Sequence, residues 1–205
     1  MDGQGADAPF GEALHAVHEG AKTFSHLTET GWPVRGRTSS MVLVLLSTSL
    51  VLASPGEPSD PVVHADSTVT TDVLIAASMA DVRAILADPA VAGRLSTSIL
   101  SVDVLGKDGP CDVVAVTCKG MLTPMAYTVR RCATPDGFTE TLVRSDDFTA
   151  QTTEWHLKTV TGGTLVTFSV NTHPKTSVPR RIIQAVVESS AVETLENLVR
   201  KVTGR

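Results

Sequence analysis

An α+β domain is what this sequence predicts: a curved antiparallel sheet of seven strands wrapped around a long C-terminal helix, with two short helices after the first strand. Three observations predict it. Within residues 178–202, Ala191, Val192, Leu195, Leu198, Val199 and Val202 recur at the spacing of one helical stripe, while Glu193, Glu196, Asn197, Arg200 and Lys201 fall opposite. Just before, Trp155, Leu157 and Thr159 alternate with Glu154, His156 and Lys158. Past Gly162-Gly163 the alternation resumes, with Val166, Phe168 and Val170 against Thr167, Ser169 and Asn171. Finally, turn signals at Lys107-Asp108-Gly109, 120–124, Pro135-Asp136-Gly137, 146–150 and Gly162-Gly163 space out short strands.

Taken in order, residues 68–75 alternate as a strand with Val69, Thr71, Val73 and Ile75 on one side. Ser78 suits the N-cap of a helix carrying Met79, Val82, Ile85 and Leu86, which Asp88-Pro89 ends. A second short helix is expected over 90–95. Six strands and the long helix follow. The helix moves its apolar face near Ser189-Ser190, from Ile182, Ile183, Val186 and Val187 to the later stripe, which predicts a kink or a first half buried all round. The domain is expected to span 67–202.

What precedes it reads as an address. Residues 1–33 have no period that would bury a face, and are expected to be disordered or an over-called extension. Residues 34–53 resemble a secretory signal: Arg35 and Arg37, the apolar run beginning Met41-Val42-Leu43-Val44, and small residues at Val51-Leu52-Ala53 or Val63-His64-Ala65 as cleavage ends. The run of 13 residues is short against the roughly 20 a spanning helix needs. Export to the periplasm or the exterior is expected, with no stable membrane span after processing and a tethered form only if the signal stays uncleaved. The Pro-rich stretch 54–66 reads as a solvated linker.

The net charge of −5 and the scattered Lys and Arg residues exclude nucleic acid as an expected partner. Cys111, Cys118 and Cys132 lack C-x-x-C spacing and a His at zinc-ligand distance, so neither a metal nor a cofactor is expected. Folding the strands about their turns puts Cys111 opposite Cys132 on the outer face. In an exported protein that pair can oxidise; three reduced cysteines are the alternative.

The same folding fills the helix-facing side with Trp155, Leu157, Val166, Phe168 and Val170, then Thr141, Val143 and Ser145, then Tyr127, Val129 and Arg131, then Asp112, Val114 and Val116, then Leu100, Val102 and Val104. Asp112 lands opposite Arg131 and Tyr127 opposite Ser145. The charge pair reads as a buried device for orienting a polar ligand head, or as a pair at a cavity mouth or on the surface. His156 and His173 fall on the opposite, solvated face. No residue set forms a nucleophile with its base, so no catalytic residue is assigned.

The order of elements, the helix ending in Ala87-Asp88-Pro89, and the closing Val178-Pro179-Arg180…Leu195-Glu196-Asn197-Leu198 pattern resemble the START and Bet v 1 superfamily, and within it the bacterial polyketide cyclase/dehydrase and coenzyme Q-binding branch. The resemblance implies a helix-grip fold, with a cavity for a hydrophobic ligand between sheet and C-terminal helix. On it, the ligand-facing candidates are Asp112, Tyr127, Val129, Arg131, Thr141, Val143, Trp155, Leu157, Phe168, Val192 and Leu195. The expected function is an exported binding protein for a lipid, quinone or polycyclic molecule. The alternatives are an aromatase/cyclase in which Tyr127 and Arg131 assist enolisation and dehydration, or a partner-binding domain with a filled core.

Overall fold

The computed structural model describes residues 55–120 and 122–204. The stretch expected to be disordered or over-called, 1–33, and the signal-like segment, 34–53, lie outside the described residues. The described chain runs β1 (Val62–Val63), β2 (Val69–Ile75), α1 (Met79–Ala87), α2 (Pro89–Gly93), β3 (Ile99–Asp108), β4 (Cys111–Cys118), β5 (Met125–Thr134), β6 (Gly137–Arg144), β7 (Phe148–Val160), β8 (Gly163–Pro174) and α3 (Arg180–Thr203). All strands form one antiparallel sheet in the order β1-β2-β8-β7-β6-β5-β4-β3. With the long helix and the two short ones after β2, this is a helix-grip.

The sheet has eight strands rather than the expected seven, because the stretch read as a solvated linker lies along β2. Val62 and Val63 pair with Thr70 and Val69. Upstream, the Gly56 and Ser59 amides donate to the carbonyls of Leu74 and Asp72 at 2.8 and 2.7 Å. The strap thereby occupies backbone groups that an edge strand would leave open.

Ser78 caps α1 as expected, its hydroxyl accepting from the Asp81 amide at 3.1 Å. Asp88 ends α1 and caps α2, accepting from the Ala90 amide at 2.8 Å, and Pro89 supplies the first helical residue. The β7–β8 turn requires glycine for space as well as conformation. A Cβ on Gly163 (φ 147°) would sit 2.0 Å from the Ile75 carbonyl oxygen.

One register expectation fails. Folding about the middle of Pro135-Asp136-Gly137 pairs Arg131 with Thr141, but the hairpin closes as Thr134↔Gly137, one residue tighter, so Arg131 faces Glu140. A slip of one flips every side chain. Phe138, Glu140 and Leu142 therefore share the inner face, and Thr141 and Val143 are exposed instead. A bulge between Thr128 and Val129 then brings Thr128 opposite Arg144. Along β3 two more bulges accompany the exposure of Leu100 and Val104.

The main core joins Val73, Ile75, Val166, Phe168, Trp155 and Leu157 of the sheet to Val82 and Leu86 of α1 and to Ala191, Leu195 and Leu198 of α3. Each fully buried aliphatic side chain here contributes about 1.5–3 kcal/mol. Helix α3 runs continuously over its 24 residues and ends at Gly204, whose left-handed backbone lets its amide donate to the Arg200 carbonyl. Its first half is not buried all round, contrary to one expectation. Ile182 and Val186 are 47% and 59% exposed.

Candidate ligand cleft under the first half of the closing helix

Inner-face residues fall into cross-strand rows. The lowest runs Phe138↔Trp155↔Phe168↔Thr71, with the Trp155 and Phe168 rings 4.3 Å apart. These residues, with Leu157 and Leu195, are packed against α1 and the second half of α3. Trp155, Leu157, Phe168 and Leu195 thus belong to the packed core.

The next row runs Asp112↔Arg131↔Glu140↔Thr153↔Val170↔Val69. Asp112 and Arg131 are opposite each other as expected, yet they do not pair. Asp112 takes the nearer Lys107, at 2.6 Å, on its other neighbour strand. Arg131, 3% exposed, donates to the Glu140 carboxylate and to the Leu86 carbonyl, and its guanidinium lies 4.7 Å from the Phe138 ring centre. The Leu86 carbonyl belongs to the last turn of α1, where helix geometry provides no partner. Arg131 therefore anchors a helix end to the sheet.

Farther along, Tyr127 faces Val116 and packs edge-on against Phe148, ring centres 5.2 Å apart. Burial, then the neighbouring Glu140 and Cys118, raise its phenol well above the usual tyrosine range. Val129 joins Val114 and Val116 in a separate small apolar cluster. Cys111 and Cys132 are disulfide-bonded, their Cα atoms 4.4 Å apart, which matches the close spacing of directly opposed antiparallel residues. Cys118 is free and buried, and burial pushes its thiol up to about 11, with Asp147 adding to the effect.

A cleft of about 280 Å³ opens elsewhere under α3. Its sheet side is built by Val69, Thr172 and Pro174, where β2 begins and β8 ends, and its helix side by Ile183, Gln184 and Val187. Ser67, Thr149, His173, Thr176, Val178 and Arg180 rim it. Val69 is fully buried and Ile183 and Val187 are half-buried. The Thr172 hydroxyl is buried without a hydrogen-bond partner among the described residues. The Arg180 guanidinium donates to the Ser67 hydroxyl. His173, expected on the solvated face, is at the rim, one residue before the end of β8. His156 is exposed and hydrogen-bonded to Asp136 at 3.0 Å.

None of the sequence candidates lines this cleft. Val192 lies on another flank of α3, in a shallow hollow with Glu188, Glu193, Glu196 and Pro61. The one signal that could have found the cleft is the early stripe holding Ile183 and Val187, which has no apolar strand counterpart where β8 turns polar at Asn171-Thr172-His173.

A family model described as polyketide cyclase / dehydrase and lipid transport matches residues 66–203. The chain belongs to this family. No curated protein matches it in sequence. Solved structures of the START/Bet v 1 superfamily share its helix-grip fold. One, from Thermus thermophilus, has a TM-score of 0.60 at 14% identity over 67% of this chain and 97% of the other. The Zhui aromatase/cyclase from a Streptomyces species gives 0.58 at 18% over 67% and 94%. A START superfamily protein from Mycobacterium smegmatis gives 0.58 at 16% over 67% and 97%. Among the described residues of this family member, no helix is long and apolar enough to cross a membrane.

Proposed function

We propose that this polyketide cyclase/dehydrase-family chain is an exported binding protein that holds a hydrophobic small molecule between its sheet and the first half of α3. The observation that carries the reading is the cleft of about 280 Å³, whose lining includes the half-buried Ile183 and Val187 and the buried Val69. That volume is near the lower end of the ~300–1,000 Å³ usual for small-molecule sites. Ile183 and Val187 remain half-buried beside this space, and a ligand there would complete their burial. The cyclase alternative draws less support, because Arg131 is committed to Glu140 and the Leu86 carbonyl while Tyr127 packs on Phe148. The export half of the reading is supported by the Cys111–Cys132 disulfide, since such bonds persist in oxidising compartments.

The test has two parts. Small molecules extracted from the natively exported protein and weighed by mass spectrometry should include an apolar species. Ligand-free protein should bind a neutral naphthylamine probe, and Val187→Trp should remove that binding while keeping a cooperative melt. A parent protein that binds no apolar probe, or a Val187→Trp variant that binds it fully, sinks the reading. N-terminal sequencing of the natural product checks export, where a mature chain still carrying 34–53 in a cytoplasmic fraction would count against it.

A further inference from the structure

The cleft's rim and its floor differ in chemistry. Although the chain carries 22 Asp and Glu residues against 17 Lys and Arg, among the described residues no acid lines this cleft, whereas the hollow on the other flank of α3 has three glutamates. Among the described residues the one permanent cation at the rim is Arg180. Among the described residues its guanidinium has a neutral partner, Ser67, and no carboxylate. Arg180 also opens α3, a helix of 24 residues whose N-cap, Pro179, offers no capping side chain and whose first turn holds no acid. The positive end of that helix and an uncompensated guanidinium thus lie at one point of the rim. Inward, Val69, Ile183 and Val187 are apolar, and the unpartnered Thr172 hydroxyl waits on the sheet side.

Resting on the binding reading above, we infer that the ligand is a small amphipathic acid: an oxyanion, carboxylate or phosphate monoester, held at Arg180 and the first turn of α3, on an apolar body lying against Val69, Ile183 and Val187. The anion supplies the counter-charge that Arg180 lacks, and the bidentate geometry of a guanidinium suits either oxyanion. The body fills the space that the helix leaves over the sheet. An uncharged hydrocarbon would satisfy only the floor, and a free anion only the rim.

The test uses the full chain, freed of ligand, with the neutral naphthylamine probe displaced at pH 7 and low salt by decanoic acid, decyl phosphate, methyl decanoate and inorganic phosphate. Decanoate or decyl phosphate should displace at about tenfold lower concentration than the ester or better, as a charge-assisted contact to the exposed Arg180 at the rim allows. Which of the two is stronger separates a carboxylate from a phosphate ligand. Arg180→Gln should bring acid and ester within about threefold of each other while leaving the ester unchanged, and added salt should do the same in part. Equal displacement by acid and ester in the parent, or an acid preference that survives Arg180→Gln, overturns the anion inference and leaves the binding reading standing. Inorganic phosphate protecting the protein from thermal unfolding as well as decyl phosphate does would overturn the amphipathic class. Absence of any probe binding overturns both.

Discussion

Along α3, Ile183, Val187, Ala191 and Leu195 continue one row at four-residue spacing, yet the first two are half-buried over the cleft and the last two are sealed. The residue types hardly differ. What differs is what lies beneath. Under the second half, β2 and β8 present Val73, Ile75, Val166 and Phe168, α1 adds Val82 and Leu86, and the Asn197 amide donates to the Leu95 carbonyl at 2.7 Å. Under the first half β8 has reached Thr172 and Pro174, and no short helix backs it. A helix clasped by a sheet can therefore be anchored at one end and leave room at the other.

Breaking the anchored end should cost most. Arg131→Met leaves Glu140 without its cation and the Leu86 carbonyl without its donor, and should lower stability by about 3–5 kcal/mol in urea unfolding. Leu195→Ala should cost about 2–5 kcal/mol, set by how far the core can collapse. In both variants that remain folded, probe binding at the open end should persist, and a parallel loss of binding would show that the two ends are not separable. Replacing Cys111 and Cys132 together by Ala should cost about 2–4 kcal/mol, through the closed loop rather than through either end of the helix.

At the open end Val187→Trp should cost less than the 1–3 kcal/mol typical of overpacking a solid core, because the ring has space to enter. A larger loss would mean that the cleft is not available to a side chain. The smallest effect concerns Cys118, whose thiol is raised to about 11 by burial. Iodoacetamide should label it slowly at pH 8 in folded protein. The stability tied to its protonated form is fully present below its ordinary value near 9.0, and is lost as pH rises through about 11. Rapid labelling at pH 8 without unfolding would show that the sheet opens locally there.

Much of the fold was legible because it rests on local periodicity. The helix stripe, the Ser78 and Asp88 caps and the glycine turns are read within a few residues of where they act. The opposition of Cys111 and Cys132 followed from one turn folded about its middle. Thr141 and Val143 went to the wrong face because a hairpin one residue tighter reverses every side chain, and nothing near Pro135-Asp136-Gly137 marks which closure wins. The strap was missed because three prolines and three acids read as linker, while its pairing partner, β2, lies several residues farther on.

The sequence by itself determined the fold class, the anchoring stripe on α3 and the family to which the chain belongs, since these depend on patterns that repeat along the chain. Only the tertiary structure decided the fate of the polar and unpacked groups. Asp112 and Arg131 face each other but bond elsewhere, because a long side chain takes whichever partner in space lies nearest, and those partners, Lys107 for one and Glu140 with the Leu86 carbonyl for the other, come from other elements. The cleft likewise exists where three separate elements fail to meet, at the start of β2, the end of β8 and the first turns of α3. A gap between elements has no residue of its own to announce it.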